Sequence, residues 1–368
     1  MVEALRGALA EEMERDANVI VIGEDIGRLG GVFRVTDGLL ERFGRDRVID
    51  APLAEGGIVG TAIGMAMHGL RPVVEIQFAD FIYPAFDQLV NEAAKMRYRS
   101  GAQFAVPMVV RAPAGGGIKG GHYHSQSPEA YFAHTPGLKV YYPASPNDAR
   151  AMLLEAIRDP DPVIFFEPKR VYRAVREPRE DYEVRERARI LRPGEDISCI
   201  SYGASIYECL EAAEAAARRG IEVEIIDLRS LIPLDEETLD RSVRHTGRAL
   251  IVHEAPLTGG YGGELVAGIV ERNFAWLRAR PMRVAGIDAP FPYALELEAL
   301  PSARRILLAI EALMRESEEA LPQTVFGDAR DSRQGGLAAA RTEDREPKND
   351  SGVKKGDEDS VEGAMEIK

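Results

Sequence analysis

Three segments in the first half of the chain combine reactive side chains with glycine or aromatic residues. The first begins at Glu55 and continues through Gly56, Gly60 and Gly64, whose spacing of four residues puts them on one face of a helix. Glycine within a helix costs about 0.5–1 kcal/mol relative to alanine, so we expect another backbone or a ligand to approach this face closely. A simple helix start, with Glu55 complementing the helix dipole, is the alternative.

A second segment, residues 75–87, brings polar and aromatic side chains together where a predicted strand gives way to a helix. Ligands of open α/β sheets bind at the carboxyl ends of the strands, so this segment is a candidate for ligand contact. Ordinary packing of the aromatic rings in the core is the competing interpretation. The pattern alone favours packing of the rings in the core.

A glycine-rich loop at residues 115–121 leads directly into His122 and His124. Glycine allows such a loop to move or to approach a ligand, and histidine transfers protons near neutral pH. A metal site is disfavoured because no cysteine or pair of acidic residues lies nearby in the sequence. We therefore expect a mobile loop that carries a catalytic histidine.

Apolar runs alternate with helical patterns through the first 170 or so residues, which is typical of a doubly wound α/β sheet. The runs predict buried strands, and the residues between them have helical spacing. The predicted strands are residues 18–22, 72–76, 108–111, 138–142 and 163–166. The predicted helices are residues 2–15, 57–68, 84–98 and 146–158.

A second, shorter α/β series follows residues 171–193, a charged stretch that predicts a linker between domains. Asp235 is expected to cap one of its helices, after a turn at residues 231–235. Its predicted strands are residues 196–202, 222–228, 248–253 and 282–286, and its predicted helices are residues 205–219, 235–244, 263–273 and 304–315. We divide the chain into domains at residues 1–185 and 186–316 and a tail at 317–368. The tail is acidic and nearly free of aromatic residues, which predicts disorder.

The composition narrows the classes of function. The 368 residues include 60 acidic and 46 basic side chains, for a net charge of −14. This balance argues against nucleic acid as a partner, because phosphate binding requires a basic surface. No basic start followed by a long apolar run indicates a targeting or membrane segment, so we expect a cytoplasmic protein. The two cysteines, Cys199 and Cys209, are expected to be free thiols.

Taken together, these segments resemble the β-subunit of thiamine-diphosphate-dependent 2-oxoacid dehydrogenases. The resemblance covers residues 2–316 and rests on long motifs. These are Glu55 with Gly60 and Gly64, and residues 75–95, 124–134, 229–235 and 253–260. It implies two doubly wound α/β domains of the transketolase-like type, a pyrimidine-binding domain and a C-terminal domain. It also implies oxidative decarboxylation of a 2-oxoacid, with transfer of the acyl group to a lipoyl group.

The resemblance implies roles for individual side chains. Glu55 corresponds to the carboxyl that hydrogen-bonds the pyrimidine ring nitrogen of the coenzyme and favours its imino tautomer. His124 corresponds to the histidine that delivers or orients a proton while the lipoyl group is acylated. Leu53, Gln77 and Phe81 correspond to the pocket for the pyrimidine ring, where Phe81 would supply an aromatic wall.

Further cofactors and partners are implied in the same way. The family assembles as an α2β2 heterotetramer in which the α-subunit holds magnesium and the diphosphate, and the lipoyl group belongs to a dihydrolipoyl acyltransferase. A structural site for a monovalent cation corresponds here to Ala156, Asp159 and Asp161, which predicts potassium. Neither nucleic acid nor a membrane is expected as a partner.

The choice of substrate is less sharply determined than the family. Residues 75–95 and 124–134 favour a branched-chain 2-oxoacid, whereas Phe81 favours pyruvate. One methylene group in an apolar pocket discriminates by only about 1–3 kcal/mol. The alternatives are a pyruvate or acetoin dehydrogenase β-subunit, and a non-catalytic subunit that only scaffolds a complex. A single-chain transketolase-like enzyme would need a diphosphate-binding domain for which this chain has no room.

Overall fold

The computed structural model describes residues 1–182, 184 and 187–315, and the tail predicted to be disordered lies outside the described residues. Within this part of the chain, twelve strands form two sheets. The strands are β1 (Val19–Gly23), β2 (Val48–Asp50), β3 (Arg71–Glu75), β4 (Val109–Ala114), β5 (Lys139–Tyr141), β6 (Val163–Pro168), β7 (Arg189–Arg192), β8 (Ile197–Ser201), β9 (Val223–Asp227), β10 (Ser230–Ile232), β11 (Ala249–Pro256) and β12 (Met282–Gly286).

The α-helices cover both faces of these sheets. They are α1 (Val2–Arg15), α2 (Leu39–Phe43), α3 (Glu55–Met67), α4 (Met96–Arg99), α5 (Glu129–Ala133), α6 (Pro146–Arg158), α7 (Val171–Ala174), α8 (Ser205–Ala217), α9 (Glu236–Thr246), α10 (Gly262–Asn273), α11 (Glu296–Ala299) and α12 (Ala303–Arg315). The apolar faces predicted for the longest helices are buried, as in α1, where Leu5 and Leu9 are fully inaccessible.

The first sheet has the order β10–β5–β6–β4–β3–β1–β2 and is parallel except at its β10 edge. Its inner strands are buried on both faces, which explains why they appear in the sequence as continuous apolar runs. One face packs on α1 and α6, and the other packs on α3. All five strands predicted for this region are confirmed, and the doubly wound α/β class is confirmed with them.

The second sheet has the order β12–β11–β8–β9–β7 and is likewise parallel except for one edge strand, β7. Helices α8 and α12 cover one face of this sheet. The cysteines Cys199 and Cys209 are buried in the core on this face, and their thiols are free, as predicted. The apolar residues of the other face join the core that α3 forms with the first sheet. The two sheets therefore share one hydrophobic core, although within the described part of the chain they are not hydrogen-bonded to each other as a single sheet.

Two short strands depart from the sequence-based prediction. Residues 171–193 were expected to be a linker, but they include α7 and the edge strand β7, which is rich in arginine and half exposed. The predicted turn at residues 231–235 begins instead with β10, which pairs antiparallel with β5 of the first sheet. Both strands have only three or four residues, which is too short for a hydrophobic period to appear.

The prediction of one regular helix at residues 84–98 is also wrong. This stretch contains a 3₁₀ turn at Tyr83–Ala85, a π-helix at Gln88–Ala93 and the short helix α4. A second 3₁₀ turn, Ala79–Phe81, precedes them. Such irregular turns widen or re-aim a helix and occur often at functional sites. The pattern of apolar residues in the sequence does not distinguish them from a regular helix.

Candidate active site

Glu55 is the first residue of α3 and lies at the carboxyl end of the first sheet. Its side chain is nearly buried, with 9% of the residue exposed, whereas Leu53, two residues earlier, is 80% exposed. The pKa of nearby Glu24 is raised by burial and then by the negative charges of Glu55 and Asp25. Glu55 therefore belongs to a small group of carboxylates beside an exposed apolar side chain.

Gln77 approaches the same group of carboxylates from the neighbouring strand. It follows β3, which pairs with β1 so that Glu75 lies opposite Gly23. The Gln77 amide Nε2 donates a hydrogen bond to Asp25 Oδ2 at 3.3 Å. The carboxyl ends of adjacent parallel strands thus bring Gln77 towards the loop that Glu55 faces, as the general rule for such sheets predicts.

His124 packs against two aromatic rings of the segment that follows β3. Its ring centroid lies 4.5 Å from that of Phe78 and 5.4 Å from that of Phe81, both edge to face. The rings of Phe78 and Phe81 are themselves 5.7 Å apart. Edge-to-face pairs of this kind stabilise an arrangement by about 0.5–1.5 kcal/mol each. The fold therefore brings His124 and Phe81, which are far apart in sequence, into direct contact.

The glycine face of α3 is approached closely along only part of its length. A Cβ atom on Gly56 would lie 3.0 Å from the carbonyl oxygen of Pro84, and one on Gly60 would lie 3.3 Å from Gln88 Oε1. A Cβ atom on Gly64 would meet no described atom within 4 Å. The expected close approach therefore holds at the first two glycines, against the irregular turns after β3.

A buried ion cluster, which the sequence did not indicate, lies beneath these residues. Arg111 of β4 is fully buried and bonds Glu75 Oε2 at 2.8 Å through Nη1 and Glu167 Oε1 at 2.7 Å through Nε. A further bond joins Nη2 to Glu167 Oε2 at 2.9 Å, and the hydroxyl of Tyr172 donates to the same oxygen at 2.5 Å. Glu75 precedes Gln77 by two residues, so the cluster fixes the strand from which the site projects.

Lys169 is a second residue that sequence reasoning missed. Its ammonium group is 5.7 Å from the centre of the Phe78 ring and donates to the carbonyl of Pro113 at 3.3 Å. Burial lowers the pKa of Lys169 to about 8, against the opposing influence of three nearby carboxylates. A lysine is usually exposed, so the burial of Lys169 beside the Phe78 ring marks it as unusual, but burial is not visible in a sequence.

The residues assigned to a potassium site lie together at the end of α6. The N–H of Asp159 donates to the carbonyl of Ala156 at 3.3 Å, and the N–H of Asp161 donates to Asp159 Oδ1 at 2.9 Å. Both carboxylates already pair with cations: Asp159 with Lys139, and Asp161 with Arg97 at 2.5 Å. A bound ion would therefore have to rely mainly on main-chain carbonyl oxygens, which retain a second lone pair.

Comparison with protein-family models gives two matches that together cover most of the chain. The transketolase pyrimidine binding domain matches residues 1–175, and the transketolase C-terminal domain matches residues 186–306. A solved structure described as a split-gene transketolase, inactive β4 tetramer, superposes with a TM-score of 0.71 at 24% identity, covering 85% of this chain and 97% of that one. The transketolase-like fold is therefore confirmed.

The curated relatives are much closer in sequence. The 2-oxoisovalerate dehydrogenase subunit beta 2 of Arabidopsis thaliana is 52% identical over 313 residues, covering 84% of this chain and 87% of the relative. The corresponding β-subunit of Pseudomonas aeruginosa is 46% identical, with 85% and 94% covered. The pyruvate dehydrogenase E1 component subunit beta of Acholeplasma laidlawii is also 46% identical, with 80% and 91% covered.

The chain belongs to the 2-oxoacid dehydrogenase E1 β-subunit family. The resemblance inferred from its motifs is thereby confirmed, and so is its assignment to an enzyme of this class. As a β-subunit, the chain implies an α partner within the E1 component. No helix within the described residues is long and apolar enough to cross a membrane.

Proposed function

We propose that this β-subunit acts with an α-subunit in the thiamine-diphosphate-dependent oxidative decarboxylation of a 2-oxoacid and passes the acyl group to a lipoyl domain. The observation that carries the proposal is a group of side chains at the carboxyl end of the first sheet, beside the exposed side chain of Leu53. The group consists of Glu55, Gln77, Phe81 and His124. An aromatic wall, an amide and a nearly buried carboxyl suit an aminopyrimidine ring. When bound, thiamine diphosphate supplies the carbanion that decarboxylation requires.

Glu55 is proposed to hold a proton at the pyrimidine ring nitrogen. A carboxyl hydrogen-bonded to that nitrogen favours the imino tautomer, in which the exocyclic nitrogen can accept a proton. The near burial of Glu55 at the start of α3 supports this role, because a carboxyl that is held in one place can keep a hydrogen bond to a bound ring. Leu53, Gln77 and Phe81 are proposed to orient the ring and to exclude water from it.

His124 is proposed to deliver or orient a proton during acylation of the lipoyl group, which belongs to a dihydrolipoyl acyltransferase. Its packing on Phe78 and Phe81 supports this role, since the two rings restrict the imidazole to one orientation. A proton-transferring group is effective only when its geometry is fixed relative to the substrate.

The assembly is proposed to be an α2β2 heterotetramer in which the α-subunit holds magnesium and the diphosphate. The 80% exposure of Leu53, a residue assigned to the pocket, supports a site that a second chain completes. We also propose a cytoplasmic location and keep the division of the chain at residues 185 and 186 as a proposal. Limited proteolysis of the assembled enzyme would locate that boundary.

A branched-chain 2-oxoacid is the proposed substrate. The support comes from relatives named for 2-oxoisovalerate, which reach 52% identity, against 46% for relatives named for pyruvate. Co-purification with the α-subunit, followed by kinetic comparison of 2-oxoisovalerate and pyruvate, tests this choice. A higher kcat/KM for pyruvate would reverse it.

Potassium is proposed to bind near Ala156, Asp159 and Asp161, where the carbonyl end of α6 favours a cation. Ligands that bind only the folded state raise its stability. The melting temperature of the assembled enzyme should therefore be higher in potassium chloride than in choline chloride at equal ionic strength. Equal melting temperatures in the two salts would remove this proposal.

The central experiment separates catalysis from scaffolding. Replacing Glu55 with Gln should lower decarboxylation by the assembled enzyme at least about a hundredfold, because proton transfer contributes about 10²–10⁴ to enzymatic rates. The matched control is Glu41→Gln, an exposed glutamate of α2. Size-exclusion chromatography should show intact assembly for both variants. Full activity of the assembled Glu55→Gln enzyme would instead support a scaffolding subunit.

A further inference from the structure

The loop that carries His124 is held by three carboxylates from distant parts of the chain. This loop, residues 115–126, begins where β4 ends, and the carboxylates accept hydrogen bonds from its backbone N–H groups. We name these three residues the loop clamp. They are Asp80, Glu254 and Glu296, and their exposed fractions are 7%, 8% and 3%.

Asp80 binds the loop next to the histidine itself. Its Oδ1 atom accepts the backbone N–H groups of Ser125 and Gln126, each at 3.1 Å. Asp80 lies between Phe78 and Phe81, the two rings that pack on His124. One short segment therefore fixes both the backbone after His124 and the plane of its ring.

Glu296 reaches the same place from the second half of the chain. It is the first residue of α11, and its Oε1 atom accepts the hydroxyl of Ser125 at 3.2 Å. Its Oε2 atom accepts the backbone N–H of Lys119 at 2.6 Å. Ser125 directly follows His124, so a single carboxylate bonds the loop both beside the histidine and five residues before it.

The bond to Lys119 has a particular consequence for the backbone. Lys119 adopts a φ angle of +58°, in the left-handed region that side chains other than glycine rarely occupy. Such a conformation costs of order 1 kcal/mol or more and persists only where neighbouring groups enforce it. A charge-assisted bond from a buried carboxylate is suited to that purpose.

Glu254 and Lys169 complete the arrangement. Glu254 Oε2 accepts the N–H of Gly116 at 2.9 Å, while its Oε1 bonds Arg170 at 2.8 Å. The buried ammonium group of Lys169 interacts electrostatically with all three residues of the loop clamp. The negative charges that hold the loop are therefore compensated from the segment after β6.

We propose that Glu296 is a positioning residue for His124, acting through Ser125 and Lys119. This inference rests on the proposed role of His124 in acyl transfer. Asp80 and the rings of Phe78 and Phe81 hold the loop at and after His124 but leave the backbone before it free to shift, and a displacement of about 1 Å can cost roughly a hundredfold in rate. Glu296 removes that freedom from a part of the chain that does not itself touch His124.

The test compares Glu296→Gln with Glu298→Gln in the assembled enzyme. Glu298 lies on the same helix but is exposed, so it controls for the loss of a charge. In Glu296→Gln, acylation of a lipoyl domain should fall about tenfold in kcat, since one charge-assisted bond is lost. The KM for the 2-oxoacid and its decarboxylation with hexacyanoferrate as electron acceptor should stay within about twofold of wild type. Hydrogen exchange in residues 115–126 should become faster.

A second variant keeps the inference testable if Glu296→Gln does not assemble. Ser125→Ala removes only the side-chain bond to Glu296, and it should lower acylation in the same selective way. The double variant should be no more than about twofold worse than Glu296→Gln, because both changes remove the same contact. Independent, multiplying losses in the double variant would overturn the inference.

The outcomes also separate this inference from the proposed function. If His124→Asn lowers lipoyl acylation while Glu296→Gln behaves like Glu298→Gln, the positioning role is wrong and the proposed function stands. Equal loss of decarboxylation and acylation in Glu296→Gln would also overturn the positioning role. If neither His124→Asn nor Glu55→Gln impairs the assembled enzyme, the proposed function itself fails.

Discussion

Beneath the candidate site, the first sheet buries a cluster of ions, whereas the second sheet buries hydroxyl groups around β8. Arg111 forms two hydrogen bonds to Glu167 and one to Glu75, and all three side chains are almost inaccessible to solvent. In the second sheet, Ser198 Oγ lies 2.5 Å from Ser242 Oγ and 2.8 Å from the Thr246 hydroxyl. The two clusters therefore differ in composition: the first centres on a guanidinium between two carboxylates, and the second on hydroxyl groups beside the buried carboxylate of Glu224.

The difference follows the location of the candidate active site. Burying ions has a large desolvation cost, which good geometry only partly offsets. The ion cluster joins β3, β4 and β6, and the segments after these three strands carry Gln77, His124 and Lys169. From the second half of the chain, Glu254 of β11 and Glu296 of α11 bond the loop that carries His124. We infer that the ion cluster fixes the relative positions of the strands that carry the site.

The most severe test of this comparison removes the charge at the centre of the cluster. Arg111→Met should lower the free energy of unfolding by about 3–5 kcal/mol, because it leaves Glu75 and Glu167 buried without their partner. Urea denaturation of the full chain measures the change. The triple variant that also carries Glu75→Gln and Glu167→Gln should recover much of the loss. A loss below about 1 kcal/mol in Arg111→Met would contradict the comparison.

A pH experiment examines a buried group that the second sheet keeps neutral. Burial lowers the pKa of His253 in β11 to about 4, with a further effect from the nearby Arg283 guanidinium. The unfolded chain protonates this ring near pH 6.5, so its contribution to stability is present above pH 6.5 and is lost as the pH falls towards 4. The loss should approach about 3 kcal/mol.

Thermal unfolding of His253→Gln at several pH values measures this contribution. The variant should be less sensitive than wild type to acidification between pH 6.5 and 4, whatever its stability at pH 7. His68→Gln changes an exposed histidine and should retain the wild-type dependence. An unchanged pH dependence in His253→Gln would show that the ring titrates normally.

A smaller effect is expected from the hydroxyl cluster of the second sheet. Ser242→Ala should lower the free energy of unfolding by about 1–2 kcal/mol, because it removes hydroxyl bonds and one donor to Glu224. Urea denaturation beside Arg111→Met gives the comparison directly. A loss as large as that of Arg111→Met would mean that the two sheets do not differ in this respect.

The smallest change in stability is expected at the N-cap of α9, a helix that packs on the second sheet. Asp235 accepts the N–H of Thr238 at 3.0 Å and that of Ala188 at 3.1 Å. Asp235→Ala should cost about 1 kcal/mol, as other N-cap replacements do. Asp235→Asn retains an acceptor and should cost less in the same denaturation assay. Equal losses for the two variants would show that the charge, rather than the cap bond, stabilises α9.

The elements that the sequence predicts best are those with long hydrophobic periods. Helices α1 and α6 have the predicted bounds, and Ser145 caps α6 by accepting the N–H of Asp148. Asp235 also caps α9 as predicted. The strands β7 and β10 were missed because three or four residues at a sheet edge carry no period. Their pairing depends on partners that only the folded chain brings near.

In the candidate site too, the sequence motifs identify some residues, whereas tertiary packing determines the others. The motifs identify Glu55 and His124, and the fold brings His124 to Phe81. The clamp residues Glu254 and Glu296 are separated from the loop by well over a hundred residues. A glutamate in a short helix looks like an ordinary surface residue in the sequence. Its burial and its bonds arise from tertiary packing, which local patterns do not encode.

The pairing of β10 with β5 also determines how the chain can be divided. A fragment that ends near residue 185 would lack β10 and leave the backbone groups of Val140 and Tyr141 unpaired along an open margin. Unprotected sheet margins recruit strands from other molecules and promote aggregation. Expression of the first 185 residues alone would therefore yield an aggregation-prone fragment, which would also lack the second-sheet residues of the shared hydrophobic core.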